Sequence, residues 1–107
     1  MPVSKEELWR QSMGAVKPDW GLLPWEGVVE VARVMAWSEA RKHSGGDWRT
    51  RSVRHHAGKA VGHIVSHITG HELDDESGLP SLAHAAARAL MCVGVYVAST
   101  KCQPDEE

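Results

Sequence analysis

The stretch His63-Ile64-Val65-Ser66-His67-Ile68-Thr69-Gly70-His71-Glu72-Leu73-Asp74-Asp75-Glu76-Ser77-Gly78-Leu79-Pro80-Ser81-Leu82-Ala83-His84-Ala85-Ala86-Ala87-Arg88 decides the fold. It reads as the end of one helix, an acidic turn and the start of another. Before Gly70, apolar residues recur at helical spacing: Val53, Ala57, Val61, Ile64 and Ile68 form one stripe, with His56, His63 and His67 beside it. After Pro80, which a first helical turn tolerates, a second stripe runs Leu82, Ala86, Leu90 (or Ala89), Val93 and Val97. These patterns predict helices over 51–69 and 79–99.

Working outward, Pro24 opens a further helix predicted to reach about His43, where Ser44-Gly45-Gly46-Asp47 stops it. Ser4 with Glu7 three residues on is a capping-box pattern and predicts a short helix over 4–13. Lys17 to Trp25 is loop-like. No strand alternation occurs. The expected fold is all-α: a small antiparallel bundle of three main helices plus a short N-terminal one, forming a single domain over 1–107 with a disordered tail at 103–107.

The composition narrows the function. The chain has 107 residues and a net charge of -2, so there is no basic excess for stable nucleic-acid binding. Cys92 and Cys102 do not make a disulfide framework. No run is predicted to span a membrane, and the N-terminus lacks a signal-peptide pattern. These readings place the protein in a cytoplasm. The apolar surface expected to remain, with Gly58 and Gly62 four apart, predicts a homo-oligomer, a dimer or tetramer.

Seven His and five Trp stand against no Phe, and five of the His fall between His55 and His71. His63 and His67 share one helical face, where they either ligate a metal or sit with one ring at the core edge on a backbone carbonyl and the other in solvent. Glu72, Asp74, Asp75 and Glu76 precede a helix N-terminus. There carboxylates either cap amides or gather as hard oxygen ligands for Mg²⁺ or Mn²⁺ beside substrate phosphates. His84 and Arg88 lie four apart, and Arg88 reads as solvated. Glu26 and Glu30 are surface charges unless their helix turns Glu30 toward the acidic turn. Arg41-Lys42-His43 and Trp48-Arg49-Thr50-Arg51 surround a Gly-rich turn. They form either a solvated loop or a phosphate-binding rim with an aromatic for a base.

The order of these features resembles the dATP/dGTP diphosphohydrolase N-terminal domain family, common in phages and similar to MazG-like all-α nucleotide pyrophosphohydrolases. The matching residues are Lys17-Pro18, Leu22-Leu23-Pro24, Glu30 to Val34, Lys42-His43, Asp47-Trp48, His63, Gly70, Asp74-x-Glu76-Ser77-Gly78-Leu79-Pro80 and Leu82-Ala83-His84-Ala85. Departures fall at Gly62, His71 and Ser81. The resemblance implies hydrolysis of a (deoxy)purine nucleoside triphosphate to monophosphate and pyrophosphate with a divalent metal. It implies Glu30, Asp74 and Glu76 as metal ligands, Glu76, Asp74 and His84 as catalytic groups, and Lys42, Trp48 and His63 as substrate contacts. Two other functions fit the same residues: a non-catalytic nucleotide-binding protein of this fold, and a small helical interaction module. A shared pocket for Glu30, Asp74, Glu76, His63 and His84 would favour the nucleotide readings.

Overall fold

The computed structural model describes residues 3–41 and 47–101. Four α-helices run in order: α1 Lys5–Ala15, α2 Trp25–Ala40, α3 Val53–Ile68 and α4 Ser81–Lys101. Single 3-10 turns at Trp20–Leu22 and Trp48–Thr50 precede α2 and α3. Among the described residues there is no strand, only an isolated bridge between Leu73 and Pro80. The all-α reading and its three main helices hold. The tail expected to be disordered at 103–107 lies outside the described residues.

Local chemistry sets the helix ends. The Ser4 hydroxyl accepts from the Glu7 amide at 3.1 Å, and the Ser52 hydroxyl accepts from His55 at 3.0 Å. Gly70, at φ 100°, closes α3. Its amide donates to the His67 carbonyl at 3.1 Å and the His71 amide to the Ser66 carbonyl at 2.8 Å. This is the double bond of a Schellman cap, which needs the left-handed residue that glycine supplies.

Helix α4 is central, with α2 and α3 each packed along it rather than on one another. The core is small: Val34 of α2 with Ala83, Ala87 and Met91 of α4, flanked by Val31, Met35, Trp48 and Leu79. From α3, His56 and Ala60 turn inward. Thus the apolar stripes expected to build the core face outward. Val61, Ile64, Val65 and Ile68 of α3 are exposed, as are Leu82, Leu90 and Val93 of α4. Helices α3 and α4 meet through small and imidazole side chains instead, a pairing that lets helix axes approach closely.

By length and composition α4 is apolar enough to cross a membrane, with a mean hydropathy of 1.4 over Ser81–Thr100. The expectation that no segment reaches that threshold is therefore corrected. Its Ala, Val and Leu run contains Arg88 as the one charged side chain between Ser81 and Thr100.

Candidate functional site

The turn joining α3 to α4 folds around one carboxylate oxygen. Asp74 Oδ2 accepts from the Glu76 amide at 3.2 Å, the Ser77 amide at 3.0 Å and the Ser77 hydroxyl at 3.1 Å. The backbone locks the same loop: the Asp74 amide donates to Leu79 and the Ser81 amide to Glu72, both at 2.8 Å. Gly78 turns the chain at φ 74°.

Ser77 also bridges to α4. Its oxygen lies 2.7 Å from His84 Nε2 and accepts from the Leu79 amide at 3.1 Å. A hydroxyl has one proton, and here it points to Asp74, so His84 Nε2 carries the proton that donates to Ser77. The chain runs His84 to Ser77 to Asp74. The serine is held as a link and is not primed as a nucleophile.

His84 is buried, stacked on His63 with centroids 4.8 Å apart, and set edge-on to Trp37 at 5.6 Å. Burial lowers the pKa of both imidazoles from 6.5, with Asp74 partly opposing it. The Asp74 carboxyl is pushed up by burial, but bonds from Ser77 and the charge of His84 hold it below the usual value.

The imidazole shifts give stability a pH dependence. A histidine whose folded pKa lies below its unfolded value leaves the unfolded chain holding more protons between the two. Stability from His63 and His84 is therefore fully present above about pH 6.5 and lost as the pH falls through their lowered folded values. The urea midpoint should drop between pH 7.5 and 5.5, and His84→Gln should flatten that drop. A midpoint that rises on acidification contradicts this burial account.

Beside the Asp74 node lies a cavity of about 360 Å³ between the C-terminal end of α2, the 3-10 turn at Trp48–Thr50, the start of α3 and the middle of α4. Arg41, Arg51 and Arg88 line it, with Trp37, Trp48 and the carboxylates Glu39, Asp47 and Glu76. Arg41 stacks over Trp37 at 5.0 Å and pairs with Glu76 at 3.6 Å. The Trp48 ring lies against α4 at Gly94, where a Cβ would stand 3.2 Å from the indole. Gly94 thus makes the room in which Trp48 seats. Asp47 caps the 3-10 turn through the Arg49 amide at 3.1 Å and binds the Arg49 guanidinium.

Several expectations change here. Glu76 and Trp48 do line one cavity. Asp74, His84 and His63 form a neighbouring node, joined to the cavity wall by Trp37. Glu30 pairs with Arg33 of its own helix at 3.3 Å. Among the described residues no three of His, Cys, Asp and Glu are grouped closely enough to hold a metal ion. Within one chain Glu30, Asp74 and Glu76 therefore do not form the metal set expected from the sequence. Asp74 is turned inward onto its own loop, Glu76 reaches Arg41, and Glu30 stays on the surface of α2. His63 and His67 do not converge either, because His63 stacks on His84 while the buried His67 Nδ1 has no hydrogen-bond partner among the described residues. Lys42 lies outside the described residues.

The sequence reading missed two groups. Arg88, read as solvated, lines the cavity, and its guanidinium Nη1 lies 3.1 Å from His56 Nδ1. His56 is fully buried, and its Nε2 is 2.9 Å from the Trp48 carbonyl. The signal was available in the spacing of His56, Ala60, His63 and His67, which marks one helical face. Imidazoles rather than large apolar side chains occupy that face, so hydrophobic periodicity does not mark it as the packed one.

The family model described as dATP/dGTP diphosphohydrolase, N-terminal, matches residues 10–104. No curated protein and no solved structure matches the chain.

Proposed function

The chain belongs to the dATP/dGTP diphosphohydrolase N-terminal domain family, and from that premise we propose that it binds a purine nucleoside triphosphate in the Trp37–Trp48–Arg88 cavity and hydrolyses it to monophosphate and pyrophosphate. The carrying observation is that one cavity joins three guanidinium groups to two indoles and three carboxylates, Glu39, Asp47 and Glu76. Guanidinium forks suit phosphate oxygens, indoles suit a purine face, and a carboxylate suits water activation. The mixed charge of the lining also fits a ligand with one anionic and one neutral aromatic end.

Mg²⁺ or Mn²⁺ dependence is proposed from the family and from the charge of a triphosphate. The described residues present no assembled ligand set for such an ion. That same observation favours a second reading, a protein of this fold that binds nucleotides without hydrolysing them. A pyrophosphate-release screen over the common NTPs and dNTPs, run with each metal and beside a direct binding measurement, separates the two. Release with a purine dNTP supports the enzyme, binding without release supports the second reading, and neither signal removes both. A cytoplasmic site of action, without membrane or stable nucleic-acid partners, belongs to the same proposal.

We also propose that a second copy covers the outward apolar stripes. The exposed large apolar side chains include Val61, Ile64, Val65 and Ile68 of α3 and Leu82, Leu90 and Val93 of α4, a run along two helices rather than scattered single exposures. Among the described residues, nothing beyond α3's own backbone lies within 4 Å of where a Cβ on Gly58 or Gly62 would stand, so α3 is open to close approach along Val61 and Val65. Light scattering at micromolar concentration should give at least twice the chain mass. A monomer mass alone would rule this assembly out.

A further inference from the structure

The His56 ring is the most completely buried of the large side chains, and both its nitrogens are engaged. A backbone carbonyl accepts hydrogen bonds and cannot donate them, so Nε2, 2.9 Å from the Trp48 oxygen, must carry a proton. A guanidinium donates and cannot accept, so Nδ1, 3.1 Å from Arg88 Nη1, must be a bare lone pair. The two partners together dictate the neutral Nε2–H form of the ring. His56 thereby ties the turn that carries Trp48 to the guanidinium on α4.

Arg88 is an unusual cation. It is partly buried, and among the described residues its hydrogen-bond partner is a neutral imidazole, with no carboxylate paired to it. Burial and the nearby charge of Arg51 both lower its pKa. A guanidinium has five N–H donors, and the bond to His56 uses one edge of the fork. The cavity receives the remainder of that side chain beside Arg51 and Arg41. An anion against Arg88 would offset its repulsion with Arg51. Although Glu39, Asp47 and Glu76 line the same cavity, none of them bonds the Arg88 fork among the described residues.

We propose that Arg88 binds the phosphate chain of the ligand and that His56 is a positioning residue, setting the Arg88 fork in register with the Trp48 wall. This rests on the nucleotide reading of the cavity and adds to it which cation grips the phosphates and what aims that cation. The arrangement is built by three separate elements, the 3-10 turn, α3 and α4, so it is not a by-product of one helix.

The test uses inorganic triphosphate and dGTP as probes in calorimetric titrations of the full chain. Arg88→Gln should weaken both about tenfold or more, the usual worth of a charge-assisted bond. His56→Gln places an amide near Nε2, keeps the donor to the Trp48 carbonyl and removes the acceptor for Arg88. It should weaken both probes to a similar extent with the fold retained by circular dichroism. His56→Asn places an amide oxygen near Nδ1 and should restore much of the affinity. The double variant should bind no worse than Arg88→Gln alone, because His56 acts through Arg88. If His56→Gln fails to fold, the His56→Asn and Arg88→Gln titrations still decide the matter. Wild-type affinity in Arg88→Gln overturns the role of Arg88, and fully additive losses overturn the role of His56, while in both cases the nucleotide reading stands. A wild-type chain that binds neither probe overturns that reading and this inference together.

Discussion

Asp74→Ala should lower stability by about 2–3 kcal/mol, seen as a fall in Tm of about 10–20 °C for a domain of this size. The reason is how much of the α3–α4 turn rests on one oxygen. Asp74 Oδ2 satisfies two amides and the Ser77 hydroxyl, and the hydroxyl in turn accepts from Leu79 and from His84. Removing the carboxylate leaves the Ser77 proton without its acceptor in a partly buried position. His84, packed between His63 and Trp37, then loses the partner that fixes its proton on Nε2. Asp74→Asn keeps an acceptor of the same shape and should cost less than half as much. Thermal melts of the two variants check this. Equal Tm values for Asp74→Ala and wild type would show that the backbone bonds of Asp74, Gly78 and Ser81 hold the turn unaided.

The turn was legible in the sequence because its determinants are local. Gly70 and Gly78 stand where the chain must turn left-handed, and Asp74 sits two and three residues before the amides it caps. Its carboxylates left two readings open, capping or metal binding, and Asp74 is engaged in capping. Helix positions were legible for the same local reason, with ends displaced by one to three residues; α2 ends at Ala40, and His43, its expected end, lies outside the described residues. What the periodicity could not reveal was which stripe packs inward. On α3 and α4 the richest apolar stripe is exposed, while the packed faces use Ala60, Ala83 and Ala87 with His56 and His84. A stripe of large apolar residues marks a surface that must be covered, but not by which chain. The cavity was half legible: Arg41, Trp48 and Arg51 flank one Gly-rich turn in the sequence, but Trp37 and Arg88 come from helices whose facing depends on tertiary packing.

Glu76→Gln should lower turnover of a purine dNTP by about 100-fold or more, the range for removing a general base, in a protein that releases pyrophosphate. Glu76 lines the same cavity as Arg88 and holds Arg41 at 3.6 Å, and its side chain is 72% exposed. It is therefore open to water while lying in the same cavity as the guanidinium groups. In the proposed reaction a water oxygen bonds to the α-phosphorus, and the bond from that phosphorus to the bridging oxygen breaks. Pyrophosphate leaves with the bond electrons, and the proton of the water passes to the Glu76 carboxylate. Glutamine has the same shape but cannot take that proton. Arg41, Arg51 and Arg88 would still hold the phosphates, so KM should change little while kcat falls. Stability should move by no more than about 0.5 kcal/mol, since an exposed ion pair contributes little. Asp74→Asn offers the contrast, because its carboxylate is already occupied by its own loop, and its effect should appear in stability before it appears in turnover. Unchanged kcat in Glu76→Gln would remove Glu76 from the chemistry. The water would then have to be activated by another carboxylate of the same cavity, Glu39 or Asp47, and the Gln variants of those two residues would identify it.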